Sequence, residues 1–168
     1  MPATAVDAVR AQTERQFQAD SCSDRGCNLR LSNAPTPYVL IHLDVPNFQV
    51  KGGQWRLPDD QRRCDYLFVG GDDAGGGPWV VPVELTTGRK DVDDFVAQIG
   101  GGILVANELL PEDIHYRFRP VGGCRPRLVG RGVSDELRKP SNRVNFRGDR
   151  QNIRLVECGT RLADSLTD

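Results

Sequence analysis

Cys64-Asp65-Tyr66-Leu67-Phe68-Val69, then a glycine-rich turn, then Trp79-Val80-Val81-Pro82-Val83-Glu84-Leu85-Thr86 is the stretch that decides the fold of this chain. Both runs have the β-branched and aromatic content of short buried strands. Each also carries one carboxylate, Asp65 or Glu84, where a buried strand should have none. The residues between them, Gly70-Gly71-Asp72-Asp73-Ala74-Gly75-Gly76-Gly77, have the composition of a hairpin loop, so the two strands are expected to pair antiparallel. A carboxylate inside a strand costs several kcal/mol of desolvation unless a cation or hydrogen-bond donor meets it. Two of them on neighbouring strands point to a shared divalent metal. Pro82 cannot donate to a ladder, which predicts a bulge or an edge position there.

Outward from this pair, Asp91 suits the N-cap of a helix running to Leu110, with Val92, Phe95, Val96, Ile99, Ile103 and Leu110 at helical spacing and Pro111 ending it. Gly100-Gly101-Gly102 in its middle predicts either close packing on the sheet or a break. Upstream, Thr4 to Ala19 favours a helix, and Tyr38 to Val45 a strand ended by Pro46. Phe48 to Trp55 fits a short strand or hairpin around Gly52-Gly53, and Leu57 to Arg63 a polar connection. Downstream, Tyr116 to Val121, Arg127 to Val129, Arg143 to Phe146 and Ile153 to Val156 read as short strands. Helix, strands, helix, strands is the order of an α/β protein with helices on a mixed sheet.

The 168 residues suffice for one domain, and 38% hydrophobic with 27% charged residues is the balance of a water-soluble globular chain. No apolar run has the length of a membrane span and Met1 to Ala11 has no secretory h-region, so a cytoplasmic protein with no membrane association is expected. Cys22, Cys27, Cys64, Cys124 and Cys158 form no CxxC pair. They read as reduced thiols, with a zinc site from Cys22 and Cys27, completed by Cys124, Cys158 or a distant histidine, the less favoured alternative. Charge is uneven. Residues 115–154 hold eleven Arg or Lys against three acids, a net +8 that leaves −9 for the rest. That basic, strand-rich part is either a solvated surface or a phosphate-binding face. Neither glycine run is followed by GK[ST], and the two histidines, His42 and His115, lie far apart, which disfavours phosphate-loop chemistry and Ser-His or Cys-His catalysis.

The order of elements, with Arg63-Cys64-Asp65-Tyr66 on one strand, Val83-Glu84-Leu85-Thr86 on the next and Gln98 on the following helix, resembles the PD-(D/E)xK superfamily, the restriction-endonuclease-like nucleases. The resemblance spans about Thr4 to Val121. It implies an α-β-β-β-α-β core and a Mg²⁺ or Mn²⁺ ion held by Asp65, Glu84 and the Leu85 carbonyl. In that pattern a lysine stands where this chain has Thr86. Lys90 is then the first candidate to replace it and Lys51 the second, with Glu14 a weaker candidate for the metal shell. The implied function is hydrolysis of nucleic-acid phosphodiester bonds, in DNA or RNA, by a monomer or a homodimer. The rival expectation is an inactive subunit of the same fold that binds nucleic acid or a protein partner; a purely structural protein is a weaker third.

Overall fold

The two decisive strands lie side by side and antiparallel near the middle of a mixed sheet. The computed structural model describes residues 4–71, 75–125 and 131–167. In chain order these form helix α1 (Ala5–Gln12), a hairpin of β1 (Cys22–Asp24) and β2 (Cys27–Leu29), strand β3 (Tyr38–His42), and a small hairpin of β4 (Gln49–Val50) and β5 (Trp55–Arg56). Then come β6 (Tyr66–Gly70), β7 (Trp79–Thr86), helix α2 (Val92–Leu109), β8 (Arg117–Phe118), β9 (Val121–Cys124) and helix α3 (Arg131–Leu137). A hairpin of β10 (Val144–Phe146) and β11 (Asp149–Gln151), strand β12 (Arg154–Glu157) and helix α4 (Leu162–Ser165) complete the chain. The expected strand at Arg127 to Val129 lies outside the described residues.

The sheet order is β12-β9-β7-β6-β3, with β8 beside the first half of β7. β3, β6 and β7 form an antiparallel meander, whereas β8 and β9 run parallel to β7, and β12 parallel to β9. A parallel neighbour needs a crossover, and α2 with β8 supplies it between β7 and β9. Pro82 is therefore in a central strand and not, as its missing N–H suggested, at an edge. Trp79 and Val80 pair with Arg117 and Phe118, Val83 to Thr86 with Val121 to Cys124, and the same register puts Pro82 opposite Pro120. The ladder is interrupted at the one place where both strands hold a proline.

Side-chain alternation sends Val39, Ile41, Leu67, Val69 and Val80 to one face, under α1 and α2, where Val6, Val9, Phe95 and Ile99 join them. Leu40, Phe68, Val81, Val83 and Leu85 go to the other, covered by the β1–β2 hairpin and α4 through Cys22, Leu29, Leu162 and Leu166. Helix α2 begins with a capping box: Asp94 N–H donates to Asp91 Oδ1 at 2.9 Å and Asp91 N–H to Asp94 Oδ2 at 3.3 Å. It runs unbroken through its glycines because it presses on the chain ahead of β6. A Cβ on Gly101 would lie 1.9 Å from the Arg62 carbonyl oxygen, and one on Gly102 would lie 2.5 Å from Cys64 Sγ. Close packing, not a break, accounts for them.

Two expectations need correction here. The first helix stops at Gln12 and not at Ala19; Thr13 is extended and Phe17 sits in a short 3₁₀ turn, where its ring packs 4.9 Å from that of Phe48. And Cys27 and Cys158 are not reduced thiols. They form a disulfide across 131 residues that ties the β1–β2 hairpin to the segment after β12. This removes two of the four sulfurs a zinc site would have used. Cys22, Cys64 and Cys124 are free and buried.

Candidate metal centre

Asp65 lies one step beyond the Tyr66–Val83 pair, just ahead of β6, which places it across from Glu84 at the end of the strand pair; alternation puts Glu84 on the face that α2 covers, opposite Val83 and Leu85. Both side chains are buried, Asp65 4% and Glu84 3% exposed. Neither Arg62 nor Arg63 neutralises Asp65. Arg62 reaches Asp94 at 2.5 Å, and Arg63 donates to the carbonyl oxygens of Gln61 and Pro58. The partner of Asp65 is the Leu85 backbone N–H, which donates to Oδ2 at 2.7 Å. The Leu85 side chain enters the opposite core. Since the N–H and C=O of one strand residue leave by the same edge, the Leu85 carbonyl is also directed to the Asp65 side.

The electrostatics of the pair are those of two carboxyls forced together in a dry place, where both cannot easily ionise. Burial and then the charge of Asp65 push the Glu84 carboxyl up to about 8, and the ammonium of Lys90 only partly offsets them. Asp65 is also raised, chiefly by burial, against the lowering effect of the Leu85 N–H. Glu84 Oε1 is buried and, among the described residues, accepts from no N–H or hydroxyl, while the Asp65 carboxyl is close enough to share a proton with Glu84. An orphaned carboxylate oxygen beside a second carboxylate is an arrangement that a proton or a divalent cation completes. Among the described residues no three His, Cys, Asp or Glu side chains converge as a ready cage. Two carboxylates and one carbonyl fit a Mg²⁺-type ion, which keeps several waters and takes further ligands from phosphate.

Lys90 ion-pairs with Glu84 through Oε2 and donates to Gln98 Oε1 at 2.6 Å. Six residues beyond Glu84 in sequence, it folds back because the Thr86 hydroxyl closes a tight turn, donating to the Gly88 carbonyl at 3.0 Å and accepting from the Gly88 N–H at 3.2 Å. Thr86 thus shapes the loop that returns Lys90. Lys51 is elsewhere: it pairs at 3.0 Å with Glu108, ten residues, or about 15 Å, along α2 from Gln98. Glu14 accepts from Gln16 and Gln49 and takes no part in the centre.

Asp24 on the β1–β2 hairpin and Asp44 after β3 also stand close enough to Asp65 for their charges to raise it. Nothing in the sequence pointed to them, since Asp24 reaches the centre only through the hairpin's packing. Tyr66 Oη donates to the Ser23 carbonyl at 2.7 Å, which holds that hairpin in place. Thiol chemistry is disfavoured: burial pushes the Cys22 thiol up to about 12 and raises Cys64 and Cys124 as well.

Comparison with protein-family models, with curated proteins and with solved structures finds no match to this chain. The centre is read on its own chemistry. No described helix is long and apolar enough to cross a membrane.

Proposed function

We propose that this chain is a metal-dependent nuclease of the restriction-endonuclease-like fold, hydrolysing phosphodiester bonds of DNA or RNA with Mg²⁺ or Mn²⁺. The observation that carries the reading is the buried Glu84 Oε1 beside the Asp65 carboxyl, met by no N–H or hydroxyl among the described residues, with Lys90 on the other oxygen of the same carboxylate. The order α1, β3, β6, β7, α2, β9 supports it, being the α-β-β-β-α-β sequence that the resemblance implies.

Asp65, Glu84 and the Leu85 carbonyl would hold the ion. When bound, the ion supplies the positive charge that polarises the phosphate and makes water a stronger nucleophile. Lys90 brings the fixed cation that Thr86 lacks, steadied by Gln98, and stabilises the negative charge that grows on phosphate during attack. Asp65 keeps its orientation through the Leu85 N–H. A cytoplasmic location stays part of the proposal, and the Cys27–Cys158 disulfide weighs against it, because such bonds persist mainly in oxidising compartments; the complete burial of Cys27 shields one sulfur from reductants.

Asp65→Asn and Glu84→Gln are each expected to abolish Mn²⁺-dependent cutting of plasmid DNA and of a structured RNA while both proteins melt cooperatively as folded domains. Cutting that survives both substitutions contradicts the assignment, as does wild-type protein that cuts neither substrate.

A further inference from the structure

The basic segment 115–154 is the obvious place to seek the substrate's grip, yet much of its charge serves the fold. Arg147 donates to the carbonyls of Asn107, Leu110 and Pro111 and so caps the C-terminal end of α2. Arg154 donates to the Ser165 and Thr167 carbonyls, Arg119 to Ser165, and Arg117 to Gly77. Arg117 and Arg119 also lie over the Trp79 ring, at the opposite end of β7 from Glu84. A cleft of about 430 Å³ between α3 and β12 is lined by Arg119, Arg138 and Arg154, two of which are among these clamps.

Cations without such duties stand at the other end of the sheet. Arg125 follows Cys124, which pairs with Thr86, and its Nη2 lies 3.4 Å from where a Cβ on Gly26 would be. Arg125 therefore leans on the tip of the β1–β2 hairpin, next to Arg25. On the α2 side, Arg89 occupies the loop between Thr86 and Lys90. Arg25, Arg89 and Arg125 are all exposed, and none makes a hydrogen bond or ion pair among the described residues. Asp24, Asp44, Asp91, Asp93 and Glu157, the last paired with Cys124 next to Arg125, lie at the same mouth, where acids repel an anionic polymer unless cations frame its path.

We infer that the sugar-phosphate backbone of the nucleic acid crosses this end of the sheet, gripped by Arg25 and Arg125 at the hairpin tip and by Arg89 on the far side of the Asp65/Glu84 pair. The inference rests on the nuclease reading and adds to it the route of the substrate. Surface guanidiniums held in no ion pair bind phosphate at little cost in lost internal contacts. The grip is to backbone and carries no base preference.

The test uses the Asp65→Asn protein, which leaves the oligonucleotide intact, and follows the anisotropy of fluorescein-labelled single-stranded and duplex DNA and RNA. Arg25→Asn/Arg125→Gln is expected to weaken binding at least about tenfold and to flatten the log-affinity against log-salt slope by about 2, one for each lost phosphate contact. Asparagine suits the left-handed backbone at position 25, where φ is 47°, so the hairpin stays formed; an unchanged melting curve checks this. Arg138→Gln/Arg150→Gln, on the C-terminal part, is expected to change little. Equal affinity in parent and hairpin variant, or a larger loss in the Arg138/Arg150 variant, overturns the route and leaves the metal centre standing. A parent protein that binds no oligonucleotide at low salt overturns the nuclease reading and the route with it.

Discussion

Lys90→Ala is expected to slow metal-dependent cleavage about 10²–10³-fold, and adding Thr86→Lys to that variant to restore much of the loss. The magnitude is that of removing one preorganised electrostatic donor from a water-poor site. Lys90 is mostly buried, ion-paired to Glu84 and fixed by Gln98, so its charge is already where it is needed and requires little reorganisation. Position 86 shares the sheet face of Glu84, two residues or about 6.6 Å along the strand, and a lysine stem spans that distance. Single-turnover cleavage of one labelled substrate by wild type, Lys90→Ala and the double variant decides the matter. A Lys90→Ala protein as fast as wild type denies Lys90 its role. A double variant no better than the single one shows that the two positions do not serve the same atom.

The second large effect is on pH. Glu84 is held at about 8 against an ordinary 4.5, so the folded protein keeps this proton where the unfolded chain has released it. The sign follows. The contribution is fully present below 4.5 and is lost as pH rises toward 8, by about 1.4 kcal/mol per pH unit in the steepest part of that window. Asp65, raised by burial, acts in the same direction. Thermal denaturation in EDTA should therefore show stability falling across the window by several kcal/mol, and Glu84→Gln should flatten the profile and melt higher than wild type above pH 8. Because the metal competes with this proton, apparent Mn²⁺ affinity should rise about tenfold per pH unit until pH 8 and level off beyond it. A flat stability profile in wild type contradicts the buried charge pair.

The strands that carry Asp65 and Glu84 and the helix capped by Asp91 were legible because each has a local signal: apolar content, a glycine loop, a capping residue. The facing of the two carboxylates followed from an antiparallel pairing that the loop already implied. What escaped the sequence has long-range causes. Pro82 is tolerated in a central strand only because Pro120 falls opposite it, 38 residues away in register. The β1–β2 and β10–β11 hairpins turn on Arg25-Gly26 and Arg147-Gly148, all with positive φ, where the usual sign is Asn-Gly or Asp-Gly. The disulfide joins residues with no local relation. The arginines of 115–154 were weighed as a solvated surface or a phosphate face, whereas several of them clamp backbone carbonyls, a role set by where distant chain ends arrive.

Whether Asp65 and Glu84 form a divalent-metal site is tested, without any knowledge of the substrate, by calorimetric titration of Mn²⁺ into wild-type protein and into Glu84→Ala at a pH above 8. Saturable binding of one ion is expected in the wild type and is expected to disappear in the variant. Absence of binding in the wild type at millimolar Mn²⁺, or identical binding in both proteins, contradicts it.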